Sequence, residues 1–191
     1  TLSHLAELAG TLSRKYGKQV AIEVDEFDLR GLPDQQRRAV RDVLIQLTRN
    51  AVVHGIESPD DRSLGGKPKH GTILIQKIGS DPNSFGFLFH DDGRGIDPRR
   101  IKARAVSAGI LTNAEAEAIS DETALGALFQ PGFTTTDEVT NDAGRGIGLY
   151  AVKSSVIDEL GGEIVVQSEI GRYTSFSFSV PLANTAVSAA R

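Results

Sequence analysis

The 191 residues include no cysteine, so the chain can build neither a disulfide framework nor a thiolate metal site. That suits a reducing compartment, and a cytoplasmic location is the expectation. No apolar run nears the roughly 18 residues a membrane-spanning helix needs, and no secretory signal pattern opens the chain, so direct membrane insertion is not expected. Charge of one sign is also lacking: 21 Lys and Arg stand against 25 Asp and Glu, a formal net charge of −4. Nucleic acid and anionic lipid therefore find no general attraction, and an anionic ligand has to be gripped by local groups. Two phosphate fingerprints are missing as well. No G-x-x-x-x-G-K-[ST] occurs, and Gly144-Arg145-Gly146-Ile147-Gly148 is not the G-x-G-x-x-G that follows a strand in dinucleotide-binding proteins.

Glycine, in contrast, is abundant. Twenty glycines against seven prolines, many in short clusters, mark loops whose backbone must approach something closely. The length suits one domain with a sizeable core, placed at residues 1–182. The tail 183–191 is expected to be loose, and a chain opening without Met is expected to be part of a longer protein.

Leu2, Leu5, Leu8 and Leu12 recur at helical spacing, predicting a helix over 2–16. Val20, Ile22 and Val24 alternate as a strand. Pro33 is expected to open a long helix reaching His54, with Val40, Val43, Leu44, Leu47 and Ala51 as its apolar stripe. Residues 55–70 lack a period and read as a loop. Strands are expected at 72–78 and 85–91, joined as a hairpin, and at 163–169 and 173–180. Shorter helices are expected near 98–108, after the capping box Thr112-x-x-Glu115, at 121–129 and at 146–160. Clustered helices favour an α+β, two-layer α/β sandwich: a mixed, mostly antiparallel sheet of about five strands covered on one face by helices.

Three stretches carry candidate chemistry. Gln46, Asn50 and His54 form one i, i+4, i+8 row beside the apolar stripe, where an Asn oxygen can ligate a hard cation such as Mg²⁺; a satisfied buried amide is the plainer reading. Phe85 to Asp97 delivers Asp91 to a strand end, followed by Gly93 and Gly95, and a carboxylate there can accept from an exocyclic amine such as adenine's. Gly144, Gly146 and Gly148 offer unobstructed N–H groups at a helix start, a natural phosphate cradle.

Each signal is weak alone, but their order is not. Asn50, then Asp91-x-Gly93-x-Gly95, then Phe129 to Phe133, then Gly144-x-Gly146-x-Gly148, then Gly171-x-x-Thr174-x-Phe176 resemble the successive sequence boxes of the GHKL (Bergerat) ATP-binding fold. RNAVVHGIESPDDRSLGGKPKHGTI, DDGRGID, LFQPGFTTTDEV and the segment from Gly144 to Phe176 further resemble the kinase domain of CheA-type chemotaxis histidine kinases, over about Leu5 to Leu182. The resemblance implies ATP and Mg²⁺ as ligands, with Asn50 the metal ligand and Asp91 the adenine anchor. Gly95 and Ile96 would lie against the base with Gly93 also in the nucleotide site, Thr174 would support Asp91 through a hydrogen bond made directly or across a water, and Arg49, His54 and Arg100 would lie near phosphates or ribose. Residues 130–145, Thr134 among them, would form a lid over the nucleotide, and Gly144, Gly146 and Gly148 would face the phosphates. Gln46, Arg49, Asn50 and His54 would be the catalytic set.

The family histidine is Gln46 here, and an amide cannot serve as a general base near neutral pH, which implies slower transfer. Val53 stands where the family often has Asp, Thr136 where a lid lysine can occur, and Tyr173 for the second glycine of its box, where it is expected to narrow the adenine side. None of His4, His54, His70 and His90 sits in an acceptor-like context. The implied partners are a histidine-phosphotransfer domain, in the same or another polypeptide, and a response regulator downstream. Dimerisation would run through parts absent from this sequence. A regulatory ATP-binding module without transfer is the alternative.

Overall fold

The computed structural model describes residues 2–79, 81–130 and 148–182. Much of the lid segment, the glycines 144 and 146 and the tail 183–191 lie outside the described residues.

Alternation along the strands decides which way the sheet faces. In β3 (Ser84–Asp91) every second residue is buried without a break, so Phe85, Phe87, Phe89 and Asp91 share one face. β2 (Gly71–Ile78) pairs antiparallel with β3 and parallel with β1 (Val20–Asp25). β5 (Tyr173–Pro181) lies on the other side of β3, and β4 (Glu163–Glu169) closes the order β1-β2-β3-β5-β4. Register places Ile75, Phe89, Phe176 and Val166 in one inward row. In the next, Phe87 stacks on Phe178 at 4.4 Å between centroids. One step beyond the Phe89 row, the sheet ends in Ile73, Asp91, Thr174 and Ser168.

Helices cover this inward face. α1 (Leu2–Lys15) buries Leu5, Ala9 and Leu12, and α2 (Asp34–Asn50) buries Val40, Val43, Leu44 and Leu47. Pro33 caps α2 from an extended conformation instead of occupying its first turn. The regular helix also ends earlier than its apolar stripe predicts. After Asn50 the chain widens into a π turn, Ala51–Gly55, closed by Ile56 N donating to Ala51 O at 2.7 Å. The extra residue rotates the downstream side chains away from the straight i, i+4 row.

The stretch 55–70, expected as a loop, contains α3 (Pro59–Leu64). Ser58 caps it, Pro59 opens it, and Asp60 and Asp61 occupy its first turn; six residues are too few for a periodicity to register. α4 (Pro98–Ser107), α5 (Asn113–Ala118) and α6 (Asp121–Leu125) come next, and α6 runs into a 3₁₀ turn at Gly126–Phe129. The Thr112–Glu115 capping box forms as expected. α7 (Gly148–Lys153) continues as a second π stretch, Ser154–Glu159. Gly161 and Gly162 end it by donating to Ile157 O and Val156 O at 3.1 and 2.8 Å.

The Phe87 ring is fully buried and contacts Phe27, Phe85 and Phe178, so Phe87→Ala should cost about 3–5 kcal/mol. Urea denaturation should register this as a lower midpoint with an unchanged m-value.

Candidate functional site

The inward end of β3 places a carboxylate where the sheet would otherwise place an apolar side chain. Asp91 is 3% exposed. Its Oδ1 accepts from Gly93 N at 3.1 Å, and among the described residues no other donor reaches the carboxylate. The turn after it has no room for side chains. A Cβ on Gly93 would lie 2.5 Å from Gly55 O and 2.7 Å from Asp91 Oδ1, and one on Gly95, whose φ is +66°, would overlap Glu169 O. Both positions are therefore restricted to glycine.

Two separated segments converge on this turn. From the π turn, Gly55 O accepts from Arg94 N at 2.9 Å, and Gly55 faces Asp91 Oδ1 closely enough that an added Cβ would sit 3.1 Å from it. From the β4–β5 connection, Gly171 N donates to Arg94 O at 2.7 Å. Ile96 N donates to Ser168 Oγ at 2.8 Å, and that hydroxyl donates to Tyr173 O at 2.7 Å. Asn50 is thus carried, on the last turn of α2, into the π turn that abuts Asp91. Gln46, Arg49 and His54 are half-buried on the same segment.

The electrostatics follow from burial. Desolvation pushes the Asp91 carboxyl up to about 7. The Gly93 amide opposes that shift, Asp92 and Glu57 add to it, and Lys67 counters it. His54 is held below the usual imidazole range, first by burial and then by the charges of Lys18 and Arg94, which favours its neutral form at pH 7. Lys18 comes down to about 8, through burial and Arg94, with Glu57 opposing. Its ammonium donates to Val52 O and Val53 O at 2.7 and 2.8 Å. Those carbonyls lie in the π turn, so Lys18 caps the helix end that carries His54.

The remaining expected residues are more scattered. Thr174 stands opposite Asp91 in register and is buried, yet its hydroxyl lies 3.4 Å from Ser168 Oγ and forms no direct bond to the carboxylate. Arg100 is exposed on the first turn of α4. Gly148 is the first residue of α7, while Thr134, Gly144 and Gly146 lie outside the described residues. Tyr173 does not narrow the side where Asp91 stands. Strand alternation turns it to the opposite face of the sheet, where its ring stacks on His90 at 5.3 Å.

Sequence reasoning missed a buried ionic cluster beneath the turn. Arg62, with a fully buried side chain, donates through Nε to Pro68 O at 2.7 Å and through Nη1 to Glu57 Oε2 and Asp92 O, both at 3.1 Å. Its Nη2 reaches Asp92 Oδ2 at 2.9 Å. Lys67 Nζ donates to Glu57 Oε1 at 2.9 Å, Asp92 O at 2.8 Å and Gly93 O at 2.6 Å. Two cations and two carboxylates thus offset one another, as burial of charge requires. The only local sign was the Ser58-Pro59 helix start, which turns Arg62 inward.

A carboxyl whose folded-state value lies above the ordinary 3.8 weakens the fold as pH rises from about 4 to 7, because the native state must give up a proton it holds more tightly. Asp91→Asn removes that cost. The variant should match the parent near pH 4 and exceed it by on the order of 2–4 kcal/mol at pH 8, measured by urea unfolding at both pH values.

Residues 35–184 match the family described as histidine kinase-, DNA gyrase B-, and HSP90-like ATPase. The chain is 39% identical over 170 residues, 89% of its length, to the gliding motility regulatory protein of Myxococcus xanthus. It is 36% identical over 149 residues, 78% of its length, to the chemotaxis protein CheA of Bacillus subtilis. It spans 22% of the length of each of those relatives. Among solved structures, full-length ShkA in complex with AMPPNP superposes with a TM-score of 0.59 at 22% identity, covering 97% of this chain and 30% of that one. The catalytic domain of histidine kinase ThkA gives 0.55 at 21% identity, covering 95% and 90%. Those two likenesses establish the fold, the open five-stranded α+β sandwich, and the match over residues 35–184 establishes the lineage: the chain belongs to the histidine kinase-, DNA gyrase B- and HSP90-like ATPase family.

Proposed function

We propose that residues 1–182 form one ATP-binding domain of a cytoplasmic, CheA-like protein-histidine kinase, with 183–191 outside it. The domain binds Mg²⁺-ATP between the end of α2 and the glycine turn after β3, and its γ-phosphate passes to a histidine on a separate phosphotransfer domain that feeds a response regulator. The observation that carries this reading is Asp91: a buried carboxylate with one oxygen fixed by Gly93 N and capacity left to accept from an amine.

Asp91 would receive the exocyclic amine of adenine, with Gly93, Gly95 and Ile96 against the ring and Thr174 behind the carboxylate. Asn50, His54, Arg49 and Arg100, with the segment containing Thr134, Gly144, Gly146 and Gly148, would serve the ribose and phosphates. The donor set suits magnesium in a particular way. Asn50 is half-buried at the end of α2, where its amide oxygen could serve as one ligand. Mg²⁺ keeps several waters and takes substrate phosphate oxygens with few protein ligands, so phosphate and water would complete the shell. The ion would neutralise charge on the transferred phosphoryl group.

Gln46 replaces the family's histidine, so binding should survive while transfer is slow. Radiolabelled ATP mixed with this domain and candidate phosphotransfer domains tests the reading. Acid-labile label on a histidine of the acceptor is expected; tight ATP binding with no transfer to any acceptor would favour a regulatory module instead. Asp91→Asn should weaken ADP affinity by about a hundredfold in calorimetry, the loss of a buried charge-assisted bond. Gln46→His should raise transfer by about a hundredfold or more, as a positioned general base does, and equal rates would reject that role.

A further inference from the structure

We propose that Lys67, which lies outside the expected ligand set, is a positioning residue for Asp91: it fixes the turn whose amide holds the carboxylate, and so sets nucleotide affinity from behind the pocket. The inference rests on reading Asp91 as the adenine anchor.

Lys67 Nζ donates to the carbonyls of both Asp92 and Gly93, which flank the single amide donating to Asp91 Oδ1. Two bonds from one ammonium orient two successive peptide planes, and with them the Gly93 N–H. A third bond, to Glu57, anchors the lysine to the π-turn side, and Arg62 secures Glu57 and Asp92 from below. Redundancy singles out Lys67 within the cluster. Asp92 O keeps Arg62 as a donor when Lys67 is removed, but Gly93 O loses the ammonium that orients it. Geometry and charge act in the same direction, because the charged groups bearing on Asp91 are Asp92 and Glu57, which disfavour its ionised form, and Lys67, which favours it.

The test compares Lys67→Met and the milder Lys67→Gln with Lys102→Met. Lys102 also binds a carbonyl and a carboxylate, Ile119 O and Asp121, and controls for general loosening. Two quantities are read: ADP affinity by calorimetry at pH 8.5, and the midpoint of the Asp91 carboxyl titration by carbon NMR without nucleotide. Expected are an affinity loss of about tenfold or more and an Asp91 midpoint displaced upward from about 7 in either Lys67 variant, with neither change in Lys102→Met. If folded Lys67→Met or Lys67→Gln binds ADP within about twofold of the parent and leaves the midpoint in place, the inference is overturned. Failure of the underlying reading would appear elsewhere, as unchanged ADP binding by Asp91→Asn. The titration needs no nucleotide and judges the positioning of Asp91 separately.

Discussion

A carboxylate buried at the end of a central strand is the constraint on which the rest of the structure turns. The inward position of Asp91 is dictated by the same alternation that buries Phe85, Phe87 and Phe89. A core position thus receives a group that loses hydration without gaining an ion pair. The fold answers with one backbone amide, from Gly93, and with a turn too tight for anything but glycine. The result is a group held in place and incompletely satisfied. Within the described residues that combination invites a donor from outside the chain.

Holding such a group requires a rigid surround, and the surround comes from three distant stretches of sequence. The π turn brings Gly55 against Gly93, the β4–β5 connection brings Gly171 and Ser168 to the far side, and the α3 segment supplies two cations from below. Each closes on a backbone atom of residues 92–96. Backbone contacts fix the path of the turn without occupying the space above it, which a nucleotide base would need. The early end of α2 belongs to the same arrangement. A straight continuation past Asn50 would keep Gln46, Asn50 and His54 in one row. The widened turn separates His54 from that row and places Gly55 where it meets Asp91.

Much of this was legible in the sequence, for identifiable reasons. Strands with unbroken alternation and the Thr112–Glu115 box carry local signals, and the structure places them as read. Asp91, Gly93 and Gly95 were legible through the order in which the sequence boxes follow one another, because an acidic glycine turn is common on its own. The π turn was not, since it depends on tertiary bonds such as those from Lys18 to Val52 and Val53. Nor was the cluster of Glu57, Arg62, Lys67 and Asp92. Charged residues in a Gly- and Pro-rich segment look solvated, and only the register of β2 against β3 shows that Asp92 closes over them. Tyr173 departs from expectation for a simpler reason: its place in a sequence box does not determine which face of the strand it occupies, and alternation does.

The two halves of the proposed activity therefore rest on different physics. In that proposal adenine recognition would depend on the position of one carboxylate, around which main-chain hydrogen bonds and a balanced ionic cluster are arranged. Phosphoryl transfer depends on what lies between the metal-bound phosphate and an acceptor histidine, where catalysis is mostly positioning and charge neutralisation. Gln46, on α2 one helical turn before Asn50, can donate and accept hydrogen bonds but cannot take a proton near neutral pH. Exchange of a histidine for an amide at that position leaves the carboxylate site intact, because no bond among the described residues links Gln46 to the Asp91 turn. Under the proposed reading, recognition and transfer would be separable, and the chain would retain the first while slowing the second.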